Sequence, residues 1–168
     1  FADYKKERMI NITLPDGQTK KVEIGASPMD IAREISEGLA RNVLSANVNG
    51  DIWDLNRPIT TDSTITLYTW NDIEGKMTFW HSSAHIMAKA LEILYPNIKL
   101  AIGPAINNGF YYDVDLGKEK LSADDLPKIE NKMKELASKK SSFKRQEVSK
   151  KEALKYFKNK KNKYKIEL

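Results

Sequence analysis

The sequence predicts an α+β protein in two successive parts: a small mixed sheet wrapped around one helix, then helices mixed with antiparallel strands. Three observations carry this prediction. Ile10, Ile12 and Leu14 alternate with polar residues, as do Ile65 and Leu67, which is the period of a half-buried strand. Ser27-Pro28 with Asp30 is a helix-start signal placed between those two regions. From Trp80 onward, the apolar residues Ala84, Met87, Ala88 and Leu91 fall at helical spacing instead. A length of 168 residues suffices for one ordinary domain or two small ones.

The elements follow in order. Residues 1–8 are polar and charged, and are read as an upstream extension or an added remnant. Residues 9–24 form a hairpin turning at Pro15-Asp16-Gly17, where Pro presets φ and Gly accepts a positive φ. Ser27 caps a helix to Leu39 with Ile31, Ile35 and Leu39 on its apolar face. Leu44–Val48 and Ile52-Trp53 are strands joined by Asn49-Gly50-Asp51, and Ile65–Tyr68 is the last strand. The order ββαβββ over about 60 residues predicts a β-grasp domain at 9–70. A polar linker is expected at 71–77, and a second domain at 78–168 opens with a helix from about Thr78 to Leu94, ended by Tyr95-Pro96. Lys99–Ile106, interrupted by Gly103-Pro104, and Phe110–Asp115 read as strands turning at Asn108-Gly109. Ser122 caps an amphipathic helix with acids in its first turn and Lys139-Lys140 at its end, which suits the helix dipole. Phe143–Val148 reads as a strand, Ser149–Lys158 as a helix, and Tyr164–Leu168 as the start of one more strand.

Composition narrows the function classes. Cys is absent, which removes disulfides, thiolate nucleophiles and Cys-ligated zinc from this chain. No apolar run reaches the roughly 18–20 residues of a membrane span, and no signal peptide is visible, so a soluble cytoplasmic protein with no membrane partner is expected. Residues 1–116 carry 11 Lys/Arg against 15 Asp/Glu, whereas residues 117–168 carry 17 against 8. A basic second half suits a polyanion such as nucleic acid, but equally a solvated Lys-rich helical surface.

The only histidines, His81 and His85, stand four apart on a predicted helix and therefore share a face. Such a pair can ligate one metal ion or bind and protonate one substrate; two histidines without a joint role are the alternative. The glutamate of the metalloprotease helix is missing, with Ser82 in its place. No metal site is expected, because two imidazoles without Cys make a poor tetrahedral set. Gly103-Pro104 could let backbone approach a ligand closely, and Tyr111-Tyr112 could offer one ring to a base and one to the core. An ordinary hairpin with a buried aromatic face accounts for the same residues.

The string Met9–Gly17, the ββαβββ order and Asn47-Val48-Asn49-Gly50 resemble TGS domains, ubiquitin-like β-grasp modules found in threonyl-tRNA synthetases, certain GTPases and stringent-response enzymes. His81–Ala88, Ala101–Pro104 and Asn108–Asp113 look like the editing domain of bacterial threonyl-tRNA synthetases, in which a TGS domain comes first. The resemblance implies a stretch of a ligase that proofreads by hydrolysing seryl-tRNA. By likeness to the family, the catalytic residues are His81, His85 and the Lys165 of a Tyr-Lys strand, and the substrate-binding residues are Gly103, Pro104 and Tyr112. It implies the acceptor end of the tRNA for threonine as partner, with the serine ester of its terminal adenosine as substrate. No cofactor is implied for this region; ATP, magnesium and a catalytic-core zinc would belong to domains outside it, as would the contacts of a homodimer. The family completes its editing pocket with a later Cys-x-x-x-His segment that this sequence lacks, so weak or absent hydrolysis is expected of it alone. A TGS-based regulatory module and a stand-alone alanyl-type editing factor are the competing readings. The lack of a GxxxxGK[ST] loop and the HxxxH helix weigh against the first, and the TGS region against the second.

Overall fold

The structure, a computed structural model, describes residues 8–142 and 144–167. The chain divides into two compact units at Phe79/Trp80.

The first unit is built on five strands. β1 (Met9–Thr13) and β2 (Thr19–Glu23) pair antiparallel around Pro15-Asp16-Gly17, where Gly17 takes φ 83° and donates its N–H to Leu14 O at 2.9 Å. α1 (Pro28–Ile35) and α2 (Glu37–Asn42) follow, then β3 (Ser45–Val48), β4 (Asp51–Trp53) and β5 (Ser63–Tyr68). Asn49 and Gly50 both have positive φ, the two-residue turn whose twist matches a hairpin. The sheet order is β2-β1-β5-β3-β4, with β1 and β5 parallel and the other pairs antiparallel. This is the ubiquitin-like β-grasp of the expected α+β class. Its core is branched and aliphatic: Ile10, Ile12, Val22, Ile31, Val48, Ile59 and Ile65 are all buried, with Trp53 and Leu67 packed around them.

The expected helix from Ser27 to Leu39 is two helices. Ser36, extended at φ −168°, both ends α1 and accepts the Leu39 N–H at 3.0 Å to cap α2. A serine that can satisfy a new set of free N–H groups lets the backbone break there. Ile35 is thereby left exposed rather than on a continuous apolar face.

The expected linker 71–77 is mostly helical. α3 (Ile73–Leu94) begins five residues earlier than Thr78, because Asp72 accepts the Thr69 N–H at 2.7 Å and Thr69 hydroxyl at 3.1 Å and closes the chain into a turn that feeds the helix. Gly75 makes this start possible: a Cβ there would lie 2.0 Å from the Thr69 carbonyl oxygen.

In the second unit, β6 (Lys99–Leu100) pairs with β9 (Val114–Asp115), and β7 (Ala105–Ile106) with β8 (Gly109–Phe110), all antiparallel. Asp113 exchanges backbone bonds with Ala101 and Ile102 between the two ladders. The two therefore form one interrupted hairpin, turning at Asn107-Asn108, one residue earlier than the sequence suggests. A 3₁₀ turn (Ala123–Asp125) capped by Ser122 leads into α4 (Leu126–Ser138), and Ser149 caps α5 (Lys150–Asn159) with a Glu152 capping box. α3 buries Ala84, Ala88, Ala90 and Leu91, small enough to admit close neighbours.

Two expected strands are not strands. Residues 144–148 belong to no strand or helix, and Phe143 lies outside the described residues. Lys163–Glu167 is a helical turn, α6, and Leu168 is likewise not described. Alternation creates a strand only where another backbone offers its hydrogen bonds, and among the described residues none does so at either place.

Candidate functional site

α3 fixes His81 and His85 one turn apart, and their rings meet. Their Nε2 atoms are 3.0 Å apart, with ring centroids at 4.5 Å and planes at 89°. Such a bond needs one imidazole to carry a proton on Nε2 and the other to be bare there. Both rings are open to solvent. Enclosure by its neighbours nevertheless pushes His85 below the ordinary histidine range, and the charges of His81 and Lys165 push it further down. A lowered His85 stays neutral at pH 7, the state able to accept a proton.

The Lys165 charge felt by His85 thus comes from α6 rather than from the expected strand. Asn162 caps α6 by accepting the Lys165 N–H at 3.3 Å, and its Nδ2 donates to Leu100 O at 3.0 Å. The Tyr164 hydroxyl donates to Asp115 Oδ2 at 2.7 Å.

Gly103 and Tyr112 are brought together across the interrupted hairpin. A Cβ on Gly103 would lie 2.1 Å from Cδ2 and 2.3 Å from Cε2 of Tyr112, so the ring rests on the glycine backbone. Tyr112 is half-buried and Tyr111 exposed, the division of roles expected for two successive aromatics in extended chain. Burial, and then the negative charge of Glu92, push the Tyr112 phenol above its ordinary value. Pro104 is half-buried beside Gly103.

Sequence reasoning missed three contributors. Glu92 stands seven residues after His85, two helical turns along the same face, a spacing that could have identified it. Asn162 and Asp115 carried no local signal, because their partners lie 62 and 49 residues away. A cleft of about 510 Å³ also opens beside His85, with Ile86, Leu136 and Ala137 as apolar lining and Lys89 and Lys140 as basic lining. Among the described residues, no group of three or more His, Asp or Glu side chains gathers to hold a metal ion. With one Nε2 able to donate and the other able to accept, the histidine pair is suited to proton transfer between a substrate or water and the two rings.

Residues 10–69 match the TGS domain family. Over 160 residues the chain is 59% identical to a threonine–tRNA ligase of Cytophaga hutchinsonii, covering 95% of this chain and 25% of that protein. A threonine–tRNA ligase of Azobacteroides pseudotrichonymphae is 56% identical over 161 residues, with the same coverage. That of Flavobacterium johnsoniae is 54% identical over 160 residues, covering 95% of this chain and 24% of the relative. The chain spans about a quarter of the length of the curated relatives it matches.

Proposed function

We propose that the chain, which is 59% and 56% identical to stretches about a quarter the length of two threonine–tRNA ligases, serves as the proofreading part of such an enzyme. Its reaction is hydrolysis of the ester that joins a wrongly accepted serine to the tRNA for threonine. Serine keeps the hydroxyl that a threonine site recognises and lacks one methyl group. One methyl discriminates by only about 1–3 kcal/mol, so a second, hydrolytic site is needed.

The observation that carries this reading is the His81–His85 contact with Lys165 beside it. Ester hydrolysis needs a base for the attacking water and positive charge where the carbonyl oxygen becomes negative. His85, with His81 beside it, takes the water's proton, directly or through a ribose hydroxyl of the substrate, and returns it to the leaving oxygen. The Lys165 ammonium holds the water or steadies the oxyanion. Gly103-Pro104 and the Tyr112 ring form the wall against which the seryl group and terminal adenosine lie. The cleft beside His85 supports the same reading: its apolar part suits a nucleobase, and Lys89 and Lys140 suit phosphate.

The joining of threonine to its tRNA with ATP and magnesium, a core zinc, dimer contacts and a cytoplasmic setting are proposed for the ligase as a whole. No described helix is long and apolar enough to cross a membrane.

The test is deacylation of seryl-tRNA and threonyl-tRNA for threonine by the full-length protein. Seryl-tRNA should be hydrolysed much faster. His81→Ala should slow that reaction by roughly 10²–10⁴-fold, the usual worth of a positioned base. This stretch alone should be slower than the full-length protein, since other parts of the ligase would hold most of the tRNA. An unchanged rate in the full-length His81→Ala variant removes the proposal.

A further inference from the structure

α6 has only five residues, too short to hold itself together in water. Two side chains hold it instead. Asn162 bonds at both ends of its amide: Oδ1 accepts the Lys165 N–H at 3.3 Å, and Nδ2 donates to the Leu100 carbonyl on β6 at 3.0 Å. The Tyr164 hydroxyl donates at 2.7 Å to Asp115 Oδ2 on β9, while Asp115 Oδ1 accepts the Gly117 N–H at 2.8 Å. Leu100 and Asp115 lie on the two paired strands of one ladder, so both anchors reach the same rigid base. Lys165 directly follows Tyr164 on α6, and its charge acts on His85.

We propose that Asn162, Tyr164 and Asp115 are positioning residues that clamp α6 to the β6–β9 ladder and thereby fix where the Lys165 ammonium stands, within reach of the His81–His85 pair. The catalytic meaning of that placement rests on the editing reading; the placement itself does not. A carboxylate accepting from a phenol gives a short, charge-assisted bond that fixes direction. The doubly bonded Asn162 fixes the first turn of the helix at the same time. Lysine has a long, freely rotating side chain, so without a fixed backbone its charge would spread over a wide volume of solvent.

The histidines report the placement. There are only two in the chain, so their ring signals in an NMR titration are readily assigned. Lys165→Met should raise the His85 titration midpoint, because it removes a positive charge that disfavours the imidazolium. Tyr164→Phe should raise it in the same direction by removing one anchor, and Asn162→Ala by removing the other. Tyr164→Phe added to Lys165→Met should bring no further rise. Asp115→Asn retains an oxygen acceptor for the phenol and should leave most of the wild-type midpoint in place. The backbone amide spectrum of each variant shows whether the fold survives; if Tyr164→Phe unfolds the unit, Asn162→Ala still decides. A midpoint unmoved by Lys165→Met overturns the placement. A Lys165→Met rise that neither Tyr164→Phe nor Asn162→Ala reproduces overturns the clamp. Neither result depends on seryl-tRNA hydrolysis, so failure here and failure of the proofreading reading are separate findings.

Discussion

Gly103 shows what one hydrogen atom in place of a side chain does. Its Cα faces the Tyr112 ring so closely that any Cβ would overlap Cγ, Cδ2 and Cε2 at 2.8, 2.1 and 2.3 Å. These atoms belong to the body of the ring, not to a flexible tip, so the ring or the hairpin must move. Gly103→Ala should cost about 1–3 kcal/mol of stability, the range for forcing extra atoms into a packed site. It should also displace Tyr112 from the proposed pocket. Denaturant melts of Gly103→Ala, Tyr112→Ala and the double variant measure this. If the glycine exists for the tyrosine, the Gly103→Ala penalty should shrink strongly once Tyr112 is alanine. An equal penalty in both backgrounds would mean that the backbone, not the ring, requires glycine.

At the scale of the element, α1 depends on a reciprocal cap. Asp30 Oδ2 accepts the Ser27 N–H at 2.9 Å and the Ser27 hydroxyl at 2.6 Å, while Ser27 Oγ accepts the Asp30 N–H at 3.3 Å. These bonds, the side-chain one foremost, hold the Asp30 carboxyl below its ordinary value of 3.8, with Arg33 adding to the effect. A carboxylate lowered in the folded state stabilises the protein above its unfolded value and loses that contribution as pH falls through its folded value. The stability margin of the wild-type protein over Asp30→Asn should therefore be full at neutral pH and shrink as the pH drops below about 3.8. Thermal melts of both proteins between pH 7 and pH 2 test this. A margin that stays constant with pH would show that the carboxylate charge contributes nothing to the cap. The Ser149–Glu152 pair repeats the same reciprocal chemistry before α5, and Asp125 accepts from the Ser122 N–H and hydroxyl ahead of the turn that leads into α4.

For the whole molecule, the contrast lies between covered and uncovered backbone. The Asn71–Lys76 region, expected from its polarity to be a linker, largely joins α3, whose backbone bonds are made within the helix. Residues 144–148 are exposed and outside any helix or strand, and contain Lys144 and Arg145. Proteases cut where a stretch of chain can leave the fold and fit an active site. Brief trypsin treatment should therefore cut after Lys144 or Arg145 well before Lys76. Mass spectrometry of the first products reads the order, and early cleavage after Lys76 would contradict the helical start of α3.

The sequence by itself determined whatever depends on neighbours a few residues apart. The β1–β2 hairpin, the Asn49-Gly50 turn, the Ser27 cap and the pairing of His81 with His85 are all local geometry, set by period, φ preference and helical pitch. The break at Ser36 was local too, but a serine that caps and a serine that decorates a helix look alike until the backbone takes its course. Tertiary structure decided where distant backbone and side chains meet. It left residues 144–148 without a partner strand, turned Lys163–Glu167 into a helix, and bonded that helix to the β6–β9 ladder through Asn162 and Tyr164. It also placed Tyr112 on Gly103 and Glu92 near Tyr112. A strand or a charge pair is a relation between two segments, and its free energy exists only once the chain has closed the loop between them. For that reason the residues of the proposed site could be named from family resemblance, while the helix and the hydrogen bonds that hold Lys165 in place became visible only in three dimensions.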